Sequence, residues 1–175
     1  KDFGSSYIHL HDNYVILDQE LCQVDASLFS SLVRKGEEKE KGGDIKSALS
    51  LYTEAMELYK GDFLPEEVHL IEADRKREEL RGEYIDLLHR LAILHEKQGA
   101  FKKAIECHKK AIQVDALLEE SYQKLMTLYS GKGMYNEAIR TYEVCEKALK
   151  AELKTKPDAI TTSLYNKILE KIQSS

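Results

Sequence analysis

Few residues in this chain combine a reactive type with a spacing that chemistry could use. His9 and His11 stand two apart, so on a strand they share a face and could chelate a metal, but no third ligand is evident near them. Cys107 beside His108 pairs a thiol with a base in name only, because adjacent positions on a helix point in different directions. Gly131, Lys132 and Gly133 loosely resemble a phosphate-binding loop, yet no strand precedes them and they read as the turn between two helices. No carboxylate is isolated in apolar sequence, as a general acid of raised pKa requires. The residues therefore predict no catalytic site, no metal and no cofactor, and the chain reads as a non-enzyme.

Composition narrows the partners. Among 175 residues, 31 acids outnumber 26 bases, for a net charge of −5. A surface of that sign repels phosphates, so nucleic acid is not an expected partner of these residues. Cys22, Cys107 and Cys145 are odd in number and lack metal-ligand spacing; they read as free thiols in a reducing, cytoplasmic setting. No apolar run approaches the roughly 20 residues that span a bilayer, and no signal peptide opens the sequence, so no membrane contact is expected. Two prolines, nine glycines and 33% charged residues suit one all-helical domain. The strand-like opening at Lys1, without an initiator methionine, points to a piece of a longer chain.

The elements that would position any site can be read in order. Tyr7 to Leu10 and Tyr14 to Leu17 are rich in β-branched and aromatic residues around a turn of His11, Asp12 and Asn13, which predicts a β-hairpin. Such a hairpin is marginal alone, so residues 1–23 are expected to be hairpin and connector from a neighbouring domain, and 24–175 the helical domain. Asp25 suits an N-cap. Leu28, Phe29, Leu32 and Val33 begin a helix that continues through a solvated charge run, Lys35 to Lys41, and stops at Gly42 and Gly43. Asp44 caps a second helix, with Ala48, Leu51, Tyr52, Ala55 and Leu58 on one stripe. Gly61, as the stop of that helix, and Pro65 punctuate a packed corner. From about Val68 to Gln98 only Gly82 interrupts a long helix. Its buried stripe is Leu80, Tyr84, Leu87, Leu88, Leu91 and Leu94, and its face from Glu72 to Arg81 mixes charge signs as solvated surfaces do. Phe101 to Val114, Leu118 to Ser130, Tyr135 to Leu149 and, past Pro157, Ala159 to Ile172 complete the helices.

Gly99, Ala104 and Ala111 recur 34 residues later as Gly133, Ala138 and Cys145. A repeat of that length resembles the tetratricopeptide repeat, a helical hairpin that buries its apolar face only by stacking on a neighbour. The alanines opposite Gly99 and Gly133 are expected to let the paired helices approach closely. Ala48, Tyr52 and Ala55 lie 56 residues before Ala104, His108 and Ala111, which leaves an insertion of 22 after the first repeat. His108 then falls on an aromatic packing position and reads as a core histidine. The expected fold is all-α: a right-handed, tetratricopeptide-like stack of helical hairpins with one long helix and a C-terminal capping helix, preceded by a short β-hairpin.

Longer motifs carry a more specific resemblance. YxGDFLPEE spans Tyr59 to Glu67, RxxLRxxYxxxLxxLA spans Arg77 to Ala92, and GxxxxAIxxxxxAIxxDxLxExxYxxLMxLY spans Gly99 to Tyr129. GxxxxAIxxYxxCxxxLxxEL from Gly133 to Leu153 follows, then Pro157 and TxxLYxxI from Thr161 to Ile168. This ordered series, from Val24 to about Ile172, resembles the bacterial transcriptional activator domain. That family is the helical partner of a winged helix-turn-helix in Streptomyces antibiotic regulatory proteins and large LuxR-like activators. NxxxLDxELCxVDxxxF, from Asn13 to Phe29, is similar to the junction between the last hairpin of the winged helix and the activator domain. Three departures stand out: Val68 to Glu72 lacks the family's tryptophan, Ala116 replaces a proline, and Lys154 replaces a glycine.

In tetratricopeptide hairpins the first helices line a concave face. That resemblance implies a protein-binding groove at Asp86, His89, Ile93, Glu96 and Lys97, then Glu120, Gln123, Thr127 and Ser130. The 56-residue offset adds Ser30, Val33, Glu37, Glu40 and Lys41. A mixed groove of this kind suits an extended peptide or a helix. The resemblance implies protein partners: the adjacent winged helix, a second copy, and RNA polymerase, with DNA reached only through the upstream domain. The first reading is therefore a regulatory interaction domain of a transcription activator, the second a free-standing adaptor for partner peptides, and the third an enzyme.

Overall fold

Helix ends, rather than helix interiors, set the shape of each hairpin. The computed structural model describes residues 8–11, 14–17, 25–63 and 71–173. Among them are seven helices: α1 (Asp25–Lys41), α2 (Ile45–Leu58), α3 (Ile71–Lys97), α4 (Phe101–Val114), α5 (Glu119–Gly131), α6 (Tyr135–Glu152) and α7 (Ala159–Gln173). Strands β1 (Ile8–His11) and β2 (Tyr14–Leu17) pair antiparallel, with Ile8 opposite Leu17. The turn residues Asp12 and Asn13, the connector with Cys22, and Leu64 to Leu70, including Pro65, lie outside the described residues.

α1, α3 and α5 end in the same way. Gly43, Gly99 and Gly133 have φ of 81°, 71° and 72°, left-handed values that favour glycine. Behind each, two amides turn back onto the closing helix: Gly43 to Glu40 and Asp44 to Lys39, Gly99 to Glu96 and Ala100 to His95, Gly133 to Ser130 and Met134 to Tyr129. These are Schellman caps, which satisfy orphan carbonyls while reversing the chain. A Cβ on Gly99 or Gly133 would meet nothing within 4 Å. These two glycines thus serve conformation. Close approach belongs to Ala48, Ala104 and Ala138, all fully buried.

The chain divides into two compact units, Lys1–Glu83 and Tyr84–Ser175. In the first, α1 and α2 bury Phe29, Leu32, Val33, Ala48, Tyr52 and Ala55 against one another. Gly36 is buried beneath the Tyr52 ring, where any Cβ would collide with the ring carbons. The Tyr52 hydroxyl donates to Glu40 Oε2 at 2.8 Å. The run from Lys35 to Lys41 is therefore not simply solvated: Gly36 and Glu40 belong to the helix interface. α2 stops at Leu58, with Tyr59 already extended, before Gly61 is reached.

The corner that follows is held by arginines. Arg81 Nη2 donates to Asp62 Oδ2 at 2.5 Å and Arg77 Nε to the Phe63 carbonyl at 3.0 Å. Tyr59 adds its hydroxyl to Asp62 at 3.3 Å. The Arg81 bond holds the Asp62 carboxyl below its usual range. Both arginine side chains are half-buried, so part of the expected solvated face of α3 is a clamp on the corner. Phe29 meets Tyr59 in a tilted ring pair beside it.

In the second unit, Leu87, Leu88, Leu91 and Leu94 are almost wholly buried, as their spacing predicts. α5, α6 and α7 share a core of Leu125, Met126, Tyr129, Ala138 and Ile168, and Tyr122, Cys145 and Leu149 form a second cluster. α7 packs on both α5 and α6, with Tyr165 stacked on Tyr142 at 4.1 Å. Asp158 caps α7, accepting from the Thr161 amide at 2.6 Å. Lys154, just past α6, has φ of 58°, which explains why a glycine is usual in the family at this position.

Two substitutions test these constraints. Gly36→Ala should cost about 1–3 kcal/mol through overpacking against Tyr52. Lys154→Gly should raise stability by about 0.5–1 kcal/mol by relieving left-handed strain. Thermal unfolding of both variants beside the parent chain checks them; a neutral Gly36→Ala would contradict the packing account.

Candidate functional site

The nine positions expected to face a groove all lie in the second unit, on α3 and α5. Asp86, Lys97, Glu120 and Thr127 are exposed, and Ile93 leaves 46% of its surface open. His89, Glu96 and Gln123 are half-buried, and Ser130 is buried. The Ser130 carbonyl accepts from the Gly133 amide in the cap that ends α5. In the first unit Val33 is buried likewise, Ser30 donates to Glu83 at 2.6 Å, and Glu40 is taken by Tyr52. Glu37 is half-buried and Lys41 exposed.

Two half-buried positions turn out to bridge successive helices. His89 on α3 lies 2.8 Å from Ser121 Oγ on α5, and Gln123 on α5 donates to Thr161 Oγ1 on α7 at 2.8 Å. His89 and Gln123 stand 34 residues apart, so the same rung is made twice with different residues. Both hydroxyls, Ser121 and Thr161, are fully buried. Gln123 also reaches Asp158, while Glu119 Oε2 accepts from the Asp158 amide and from the Thr161 hydroxyl. Buried hydroxyls cost free energy unless bonded, so these contacts fix helix register. Sequence reasoning missed Ser121 and Thr161, which stand 40 residues apart, so the 34-residue repeat that links His89 to Gln123 does not link them. Asp86, Ile93, Lys97, Glu120 and Thr127 remain as the positions with surface to offer.

His108 is a core histidine. It is 2% exposed, neither ring nitrogen has a hydrogen bond, and its ring lies 5.7 Å from that of His89. Glu96 Oε1 stands 3.8 Å from Nε2, the same pairing that Tyr52 makes with Glu40 one offset earlier. Burial first, then His89 and Lys124, pushes its pKa down to about 4. Cys107 and Cys145 are free and buried, and burial pushes their thiols up to about 11 and about 12. Neither is a nucleophile at neutral pH. Lys132 sits 3.6 Å over the Phe101 ring, so the Gly131 to Gly133 segment is a helix turn pinned by a cation–π contact. The side chains of His9 and His11 lie outside the described residues. Among the described residues no three His, Cys, Asp or Glu side chains are grouped to hold a metal. No described helix is long and apolar enough to cross a membrane.

These shifts set two outcomes. Unfolded histidine titrates near 6.5 and folded His108 near about 4, so the unfolded chain binds the proton first. Stability should be full above pH 6.5, fall by on the order of 3 kcal/mol as pH drops towards 4, and level off below. Melting temperatures across that range should flatten in His108→Tyr; an unchanged slope would contradict the assignment. Separately, Cys107 and Cys145 should react with Ellman's reagent only after denaturant is added.

With this geometry in hand, comparison with known proteins is informative. The model of a family described as the bacterial transcriptional activator domain matches residues 24–169. Among solved structures, the C-terminal TPR-containing domain of a Plasmodium falciparum FK506-binding protein is similar at 19% identity, with a TM-score of 0.57 over 86% of this chain and 91% of that one. The TPR2B domain of yeast Sti1, solved as its pHsp70 complex, is 17% identical with a TM-score of 0.54 over 83% and 98%. The first TPR of Spaghetti (RPAP3), bound to the HSP90 peptide SRMEEVD, is 18% identical with a TM-score of 0.53 over 86% and 97%. At these identities the likeness shows the fold, a tetratricopeptide-like series of helical hairpins. Among curated proteins none matches the chain.

Proposed function

This chain belongs to the bacterial transcriptional activator domain family over residues 24–169, and from that premise we propose that it positions a winged-helix DNA-binding domain and mediates self-association or contact with the transcription machinery. The observation that carries this reading is the family match together with the Arg77 and Arg81 clamp, which gives the GDF signature a structural role. The domain boundary falls at residue 24, and β1 and β2 are the end of the upstream winged helix. Exposed Asp86, Ile93, Lys97, Glu120 and Thr127 form the face offered to protein partners. DNA is reached only through the winged helix, since this chain carries a net charge of −5.

A second reading, a free-standing adaptor for partner peptides, draws support from the two solved TPR domains above whose partners are pHsp70 and an HSP90 peptide. Charge reversal separates them. In the parent activator, Lys97→Glu or Glu120→Lys should lower promoter activation severalfold without changing operator affinity. A loss of peptide affinity with activation intact would favour the adaptor. An enzyme, the third class, would need converging ionisable groups in a pocket.

The chain by itself should show no micromolar gel shift with duplex DNA at physiological salt. Residues upstream of Lys1 in the reading frame should carry a winged-helix pattern, and their lack of one would sink the first reading.

A further inference from the structure

Between α5 and α7 runs an open groove of about 460 Å³, walled by side chains of both helices. Its charged lining residues are Lys124 on α5 and Lys167 on α7, and no acid lines it. Both lysines are exposed, and among the described residues neither joins an ion pair. Glu120, one turn before Lys124, makes no salt bridge with it. The Asp158 carboxylate, which Gln123 reaches, is already held by the Thr161 amide. Two unpaired ammonium groups in one groove of an acidic chain attract an incoming anion and repel a cation.

The rest of the lining is apolar and hydroxylic. Ile160 leaves 66% of its surface open on α7, a helix whose exposed residues are otherwise mainly polar, and Leu164 beside it is half-buried. Thr127 gives its hydroxyl proton to the Gln123 carbonyl at 2.8 Å, which leaves its oxygen able to accept. Ser163 adds a second hydroxyl.

We propose that this groove binds an acidic peptide strand. An apolar side chain of the peptide rests on Ile160 and Leu164, neighbouring carboxylates meet Lys124 and Lys167, and the peptide backbone bonds to Thr127 and Ser163. The proposal rests on α5 offering a partner surface, as argued above, and adds the chemistry of the partner.

Fluorescence anisotropy tests it with a short fluorescein-labelled peptide of alternating glutamate and leucine, and with a lysine and leucine counterpart. The glutamate peptide should bind and the lysine peptide should not. K124E and K167E should each weaken binding about threefold to tenfold, the pair more, while K102E on α4 leaves it unchanged. Raising salt from about 0.05 M to about 0.5 M should also weaken it. Circular dichroism melts establish that each variant is folded. Equal binding of the two peptides, no binding of either, unchanged affinity in the double variant, or displacement of the glutamate peptide by duplex DNA each overturns the proposal. Thr127→Arg in the parent activator separates the two levels. If the glutamate peptide fails but this variant abolishes promoter activation, the surface serves a partner of other chemistry and only the acidic class falls. If activation also stays intact, the partner role of α5 falls with it.

Discussion

A helix that has just ended must be turned back on itself before its apolar stripe can be covered, and in this protein that reversal depends on a residue able to hold positive φ. Gly43, Gly99 and Gly133 supply it at three equivalent places, each behind the same pair of amide-to-carbonyl bonds. Once the turn is set, the next helix starts at a fixed angle and a small side chain, Ala48, Ala104 or Ala138, meets the preceding helix with no exposed surface. Everything the second unit does with α3, α5 and α7 follows from those reversals. Where the family's glycine is replaced by Lys154, the chain adopts the left-handed conformation all the same.

Equivalent positions carry equivalent physics with different residues. Tyr52 is buried and satisfies its hydroxyl on Glu40, while His108 fills the same place near Glu96 without a hydrogen bond. Tyr142 instead stacks on Tyr165. The common demand is a flat ring filling the space between helices, and the polar atom on that ring is accommodated locally. A neutral imidazole is acceptable in such a place because burial disfavours its charged form. The same logic keeps the buried thiols of Cys107 and Cys145 protonated.

The rungs between successive first helices explain why a repeat protein of modest core still has a defined register. His89 with Ser121 and Gln123 with Thr161 join polar side chains that would otherwise be costly to bury. They also divide the groove-facing positions into those used internally and those left open. The open set keeps its surface, and on the flanking α7 Ile160 is exposed as well.

By itself the sequence determined the helices, their order and the repeat, because apolar spacing and cap residues act over a few positions. The stripes of α2 and α3 and the bounds of α4 can be read directly from Ala48 to Ala55, Leu80 to Leu94 and Phe101 to Val114. The motif series also determined the family, which depends on residue order alone. Only the tertiary structure decided which polar residues are free. Ser130 and Val33 share the spacing of their exposed neighbours yet are buried, and Glu40, Arg77 and Arg81 sit in charged runs yet have fixed partners. Gly36 resembles a helix breaker until the Tyr52 ring is seen upon it. The physical reason is that burial and pairing depend on residues distant in sequence, and a local pattern cannot say which of them arrives.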